Sequence, residues 1–385
     1  MKSVIKDVKI EEGEELKGRI LNIHAKTGSF KTPTKAPTST ELNAKKNIGF
    51  DDPFLNPIFE ITQRFSPGSI SNFYKTNGYH SRKIGEINAH ADTLINRNLV
   101  KYFPQFRKDT ILNDDDMLSL VDVQLESNIN VISLPEVKED ASLIEFKNNL
   151  ERYWKYCESE KPEAILMPYL NLSQDPDLFR EKLNYLADYE GSLQAIGIKF
   201  ASPNTYRPNL RALASFSDKE FWVHCSSIKR ANWNSSIPSS QLHILQKFGV
   251  DTVSIEIPMA MGDGNNAKDK PILKTKYFNN DKITIPSIEE SIHDGNLICN
   301  CPICRQRNFN ELTEDLKRYQ GNRSINAILN DFSKIHEVYA ATSEFEISRQ
   351  RIKEGDLNKY FKEKEGLKDY VSAEENQTSL NSFSN

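Results

Sequence analysis

Residues 117–257 alternate between two hydrophobic periods, and this alternation limits the chain to few folds. Apolar runs at 130–134, 164–170, 195–200, 221–225 and 252–257 read as strands. The stretches 143–157, 175–189, 209–216 and 239–248 between them read as helices. In 143–157 the large residues Phe146, Leu150, Tyr153, Trp154 and Cys157 form one stripe. Asp175 stands before Pro176 as an N-cap, and Gly249 closes the last helix. Strands joined through helices must lie parallel, because a parallel pair needs a crossover. The expected fold class is therefore α/β, a (β/α)8 TIM barrel whose earlier units lie in the less readable first third. An open doubly wound sheet is the alternative, although no Gly-rich nucleotide fingerprint accompanies it.

The flanks add appendages. Apolar alternation at 4–10, 18–23 and 28–33, with a turn at 25–28, predicts an N-terminal β-hairpin. Residues 36–110 are rich in Asn, Pro, Ser and Lys and read as irregular chain with one or two helices. The stretch 259–298 reads as a loop, 326–361 as a helical tail, and the polar end as disordered. The expected plan is 1–35 hairpin and first strand, 36–298 barrel, 299–365 metal-binding module and closing helix, and 366–385 disordered tail.

Three of the five cysteines, Cys299, Cys301 and Cys304, fall within six residues. A triplet this tight cannot close a normal set of disulfides, but it can close around one metal ion. Its C-x-C-x-x-C spacing needs a fourth ligand for tetrahedral zinc, and His336, on a helical stretch, is the best candidate. Four protein ligands leave no open position, so the Zn2+ is expected to be structural and to contribute on the order of 10 kcal/mol to local folding. The bland alternative is a set of unliganded buried cysteines.

The net charge of −4 gives no global basic signature, so any nucleic-acid surface must be local. No apolar run approaches the ~18 residues of a membrane span, and the charged N-terminus lacks a secretory apolar core. Clustered, scarce cysteines fit a reducing cytoplasm.

The segment CNCPICRQRNF, followed by HEVYAATSEFEISRQRIKEGDLNKYFKEK, resembles the tRNA-guanine transglycosylases, especially their archaeal branch. GRILNIHAKTGSFKTPTKAPTSTEL is similar to that family's opening hairpin and first barrel strand. FWVHCSS and FGVDTVSIEIP match its last two barrel strands more weakly. The resemblance implies zinc ligation by Cys299, Cys301, Cys304 and His336 on a (β/α)8 barrel. It also implies exchange of guanine for a 7-deazaguanine base in a nucleic acid, tRNA or, in related members, DNA. Such a reaction develops oxocarbenium character at C1′, which one carboxylate traps while a second manages protons. The target nucleotide must first leave its stack.

The chain departs from the family where that chemistry resides. The family's Gly-x-Asp-x-x-Asp pattern ends on the nucleophile, and here the run Gly249-Val-Asp251-Thr-Val-Ser254 ends on serine. Glu256, two residues on and hence on the same strand face, is the candidate replacement carboxylate. Ser254 and Glu256 are thus the catalytic candidates, with a solvated or ion-paired Glu256 as the alternative. The family's Asp-Ser-Gly motif is missing, and its nearest counterpart is Ser66-Pro-Gly-Ser-Ile70. Asp114, Asp115 and Asp116 read as the acidic start of a helix. Lys199, Ser202 and Asn204 follow a strand end, where barrel enzymes keep binding loops, and are substrate-binding candidates. His224 is another, with a satisfied core histidine as its alternative. Lys229, Arg230 and Trp233 combine charge and an aromatic ring, which suits phosphate contact and stacking, or simply a solvated loop.

Two classes of function follow. One is a zinc-stabilised pentosyltransferase. The other is a catalytically inactive relative that binds nucleic acid or pairs, as homodimer or heterodimer, with a related subunit.

Overall fold

The computed structural model describes residues 5–13, 18–107, 110–188, 193–203, 205–231, 238–257, 275–368 and 370. The strands are β1 (Ile5–Gly13), β2 (Arg19–Ala25), β3 (Gly28–Lys31), β4 (Thr34–Lys35), β5 (Ile58–Phe65), β6 (Leu99–Phe106) and β7 (Val131–Leu134). They continue as β8 (Ile165–Asn171), β9 (Ala195–Lys199), β10 (Trp222–Ile228), β11 (Thr252–Ile255), β12 (Ile292–His293) and β13 (Asn296–Leu297). The helices are α1 (Ser39–Asn47), α2 (Pro67–Ile70), α3 (Asn72–Lys75), α4 (Tyr79–Ala91), α5 (Asp114–Leu125) and α6 (Leu143–Glu160). After them come α7 (Pro176–Ala187), α8 (Arg207–Ala214), α9 (Phe309–Lys317), α10 (Ile325–Lys353) and α11 (Leu357–Glu363). None is long and apolar enough to cross a membrane.

The chain divides into two compact units. The first comprises 1–39, 56–228 and 246–256. Its main sheet runs β4-β11-β10-β9-β8-β7-β6-β5 with every adjacent pair parallel. A parallel bridge between Thr38 and Glu60, with Glu60 N–H donating to Pro37 O at 2.9 Å, joins the two ends. This is the expected (β/α)8 barrel, and β5 and β6 are the strands that 36–110 conceals. The helical layer follows its capping signals. Asn113 and Asp116 form a capping box on α5, Ser142 and Glu145 another on α6, and Asp175 caps α7. The stripe Phe146, Leu150, Tyr153, Trp154 and Cys157 is buried as predicted. One helix fails to form as expected: 239–248 yields only a 3-10 turn at Ile244–Phe248.

The N-terminal hairpin plugs the barrel. Leu21 and Ile23 of β2 join one apolar cluster with Ile58, Leu99, Val131, Ile165, Ala195 and Trp222, residues at or near the starts of the barrel strands. A buried ion pair anchors the plug, with Arg19 donating to Asp251 through Nε (3.1 Å) and Nη2 (2.7 Å). The same guanidinium also donates to the carbonyls of Ser217, Lys219 and Phe221. Burial raises the Asp251 pKa, and Arg19 opposes that shift.

The second unit gathers 40–55, 229–245 and 257–385, so it is wider than the 299–365 module expected from sequence. It is built on the 29-residue helix α10, on α9 and α11, and on a turn-rich stretch at 275–298. Within the expected disordered tail of 366–385, residues 366–368 and 370 are ordered instead. Gly366 N–H donates to Lys282 O at 2.8 Å, and a Cβ there would lie 2.3 Å from Ile283 O. Leu367 and Tyr370 are buried beyond it. Residues 371–385 lie outside the described residues.

Candidate metal centre and barrel-mouth site

The metal ligands expected from sequence converge. One donor atom from each of Cys299, Cys301, Cys304 and His336 lies within 4.8 Å of the others. The knuckle forms because residues 301–305 turn tightly, with Cys304 N–H and Arg305 N–H both donating to Cys301 O. Arg305 and Gln306 then take left-handed φ values of 51° and 52° to reverse the chain. His336 projects from α10 with no exposure. Its Nε2–H donates to Phe278 O at 2.7 Å, which leaves the Nδ1 lone pair for a metal. Nδ1 lies 3.4 Å from Cys301 Sγ and 3.2 Å from Cys304 Sγ. Zn–S near 2.3 Å and Zn–N near 2.0 Å at a tetrahedral angle would separate such donors by about 3.5 Å. Three thiolates and an imidazole therefore fit one tetrahedral ion, and soft sulfur donors favour zinc over hard cations.

A second buried polar cluster fills the middle of the barrel, around Glu60 on β5. Its Oε2 accepts from Lys101 Nζ (2.7 Å), His224 Nε2 (2.9 Å) and Ser226 Oγ (2.5 Å). Its Oε1 accepts from Ser254 Oγ (2.8 Å) and Thr62 Oγ1 (3.0 Å). Proton positions follow from donor inventory. Trp222 Nε1 can only donate, and it points at Thr252 Oγ1 at 2.6 Å. The ionised Glu60 can only accept, so His224 Nε2 carries a proton toward it, and a neutral ring then accepts at Nδ1 from Thr252 Oγ1 at 2.7 Å. Tyr169 Oη likewise donates to Ser226 Oγ at 2.6 Å, since the serine proton is committed to Glu60. Burial and then the Lys101 charge push the His224 pKa down to about 4. For Glu60, burial alone would raise the pKa, but Lys101 and His224 together hold it far below the usual carboxylate range. Glu60, Lys101, His224 and Ser254 all have zero exposure. Tyr169 reaches this layer because Gly197 has no side chain: a Cβ there would sit 2.3 Å from the Tyr169 ring.

Above this layer the C-terminal strand ends form the barrel mouth. Glu256 follows β11 on the same face as Ser254, with its N–H bonded to Ile228 O at 2.8 Å. Its Oε1 accepts from Gln105 Nε2 of β6 at 3.3 Å. Because β4 and β5 lie between β11 and β6, this bond spans the opening. Arg64 of β5 is on the face of Glu60 and Thr62; burial lowers its pKa and the Glu256 charge opposes that. On the opposite side, Lys199 Nζ pairs with Glu139 at 2.6 Å. Glu136 is held by Lys182, Asn171 and Gln174, with its pKa raised by burial. Between them a cavity of about 40 Å³ lies over the Phe103 and Tyr169 rings, room for a few waters.

The candidates thus separate. Glu256 and Lys199 are at the mouth. Ser202 lies just beyond β9, its carbonyl accepting from Thr205 and Tyr206 N–H at the start of α8. His224 and Ser254 lie in the closed middle layer with their polar atoms engaged, His224 as the satisfied core histidine. Arg230 is committed to Glu337 and Ser333 of α10. Asn204 and Trp233 lie outside the described residues. Sequence reasoning missed Glu60, Lys101 and Gln105; the one available signal was their common period-2 register on β5 and β6. A scan against protein-family models and a search of curated proteins returned no match to the chain.

Proposed function

We propose that the chain is a transglycosylase-like enzyme that exchanges guanine for a 7-deazaguanine base in a nucleic acid at the C-terminal mouth of its barrel. The observation that supports this reading is the direction of Glu256. Its carboxylate crosses the opening to Gln105, in the place where barrel enzymes hold reactive groups. In the proposed reaction one Glu256 oxygen attacks C1′ of the target nucleotide as the N-glycosidic bond breaks, and the departing base takes the bond electrons and a proton from water. The incoming base then displaces the carboxylate from C1′, which regains its charge, and the base gives up its own proton to water. The Arg64 guanidinium lies in the field of Glu256. Ser254 has no part in the bond changes, because its hydroxyl is buried and donates to Glu60. The Cys3His site would hold Zn2+ in a structural role with no open position.

The competing reading is an inactive relative that binds nucleic acid or a related subunit, and the burial of Ser254 favours it. Labelled-guanine exchange into unmodified tRNA and, separately, duplex DNA decides between them. Incorporation by the wild type and its loss in Glu256→Gln are expected, and the polymer labelled names the substrate. No incorporation by folded, metal-loaded protein overturns the enzymatic reading.

A further inference from the structure

Two consecutive residues outside the sequence motif embrace the metal-ligating histidine. Tyr277 is buried, and its ring lies flat on the His336 imidazole, with centroids 3.9 Å apart and planes within 5°. Its hydroxyl lies 3.1 Å from Cys304 Sγ. Phe278 contributes the carbonyl that accepts from His336 Nε2. The stretch carrying both is fastened independently of the ligands. Tyr277 N–H donates to Pro286 O, Asn279 and Thr284 bond reciprocally, and the Phe278 ring stacks on His243, which in turn stacks on Phe345 of α10.

We propose that Tyr277 is a positioning residue of the metal centre, setting how tightly and how long the ion is held. Its ring fixes the rotation of His336 about the Nδ1 direction, so the imidazole does not have to be ordered when the ion arrives. Its O–H donates to the Cys304 thiolate, which has acceptor capacity left once it ligates. That bond withdraws electron density from the sulfur and stabilises the anionic Cys3His set in a buried setting. Outer partners of this kind are worth about 10–100-fold in metal affinity. The inference concerns the metal centre alone and is independent of the proposed exchange reaction.

The test uses the full chain loaded with Zn2+, and in parallel with Co2+, whose sulfur-to-metal charge-transfer band reports on thiolate donation. Tyr277→Phe removes only the hydroxyl, and Tyr277→Leu removes the ring as well. We expect Tyr277→Phe to release zinc to a chromogenic chelator about tenfold faster with unchanged far-ultraviolet circular dichroism and a displaced charge-transfer band, and Tyr277→Leu to lose a further factor of about ten. Wild-type release rate and band position in Tyr277→Phe would overturn the assignment, whatever the fate of the more disruptive leucine variant.

Discussion

The metal centre and the Glu60 layer are both buried clusters of polar groups, but they are balanced differently. Around Glu60 the protein supplies every partner itself: one carboxylate, one ammonium, a neutral imidazole and hydroxyls whose protons all point inward. At the knuckle three cysteines and a histidine each turn one donor atom toward the others, and neither lysine nor arginine is among the four. The first cluster is complete as folded; the second has the donor set and spacing of a site for one metal ion. A closed network rigidifies a core, whereas an open one makes folding depend on something outside the chain.

The largest effect expected from this contrast is at the knuckle. Cys301→Ser should abolish stoichiometric zinc and forfeit much of a metal contribution on the order of 10 kcal/mol to the second unit. Metal content by atomic spectroscopy, with limited proteolysis of 229–385, reports both; full metal retention would remove Cys301 from the ligand set. Next comes breaking the closed network from one side. Glu60→Gln leaves Lys101 buried without its counter-charge and should cost about 3–5 kcal/mol in chemical denaturation, whereas replacing Glu60 and Lys101 together by apolar residues should cost clearly less than the two single changes summed. Additive losses would mean that the two groups are not a pair.

The same contrast explains what the sequence disclosed. Cys299, Cys301 and Cys304 are legible because one turn brings them together, so the spacing is itself the geometry. The strand of 164–170 is legible because burial on both faces makes it continuously apolar, and β8 is buried throughout. Glu60 and its partners are silent for the opposite reason: His224 and Ser254 are 164 and 194 residues away, and nothing local marks the meeting. Their strands mislead as well. Glu60, Thr62, Gln63 and Arg64 make β5 polar enough to read as a solvent-facing strand, and Pro104 inside β6 argues against a central strand. The chain beyond residue 366 reads as polar tail, yet Leu367 and Tyr370 find a site that only the fold creates. Glu256 is legible as a residue but not as a geometry, because the partner that fixes its direction, Gln105, is 151 residues away.

The smallest effect is the most specific to the closed layer. His224 is neutral when folded, with a pKa of about 4, against about 6.5 when the chain is unfolded. The unfolded chain therefore binds a proton first as pH falls. The stability that depends on a neutral His224 is fully present above about pH 6.5 and is lost progressively as pH drops towards 4, by about 3 kcal/mol in all. Carboxylates titrate over the lower part of this window, so the wild-type slope alone is not diagnostic. The relevant quantity is the difference between wild type and His224→Gln, whose amide can still donate to Glu60 but takes up no proton. We expect the variant to be less stable at pH 7.5 and to lose less on acidification to pH 5, so that the two denaturation curves converge. Parallel losses, or an imidazole that titrates near 6.5 by NMR in the folded protein, would mean that burial and the Lys101 charge do not hold the ring neutral and that the layer opens to solvent.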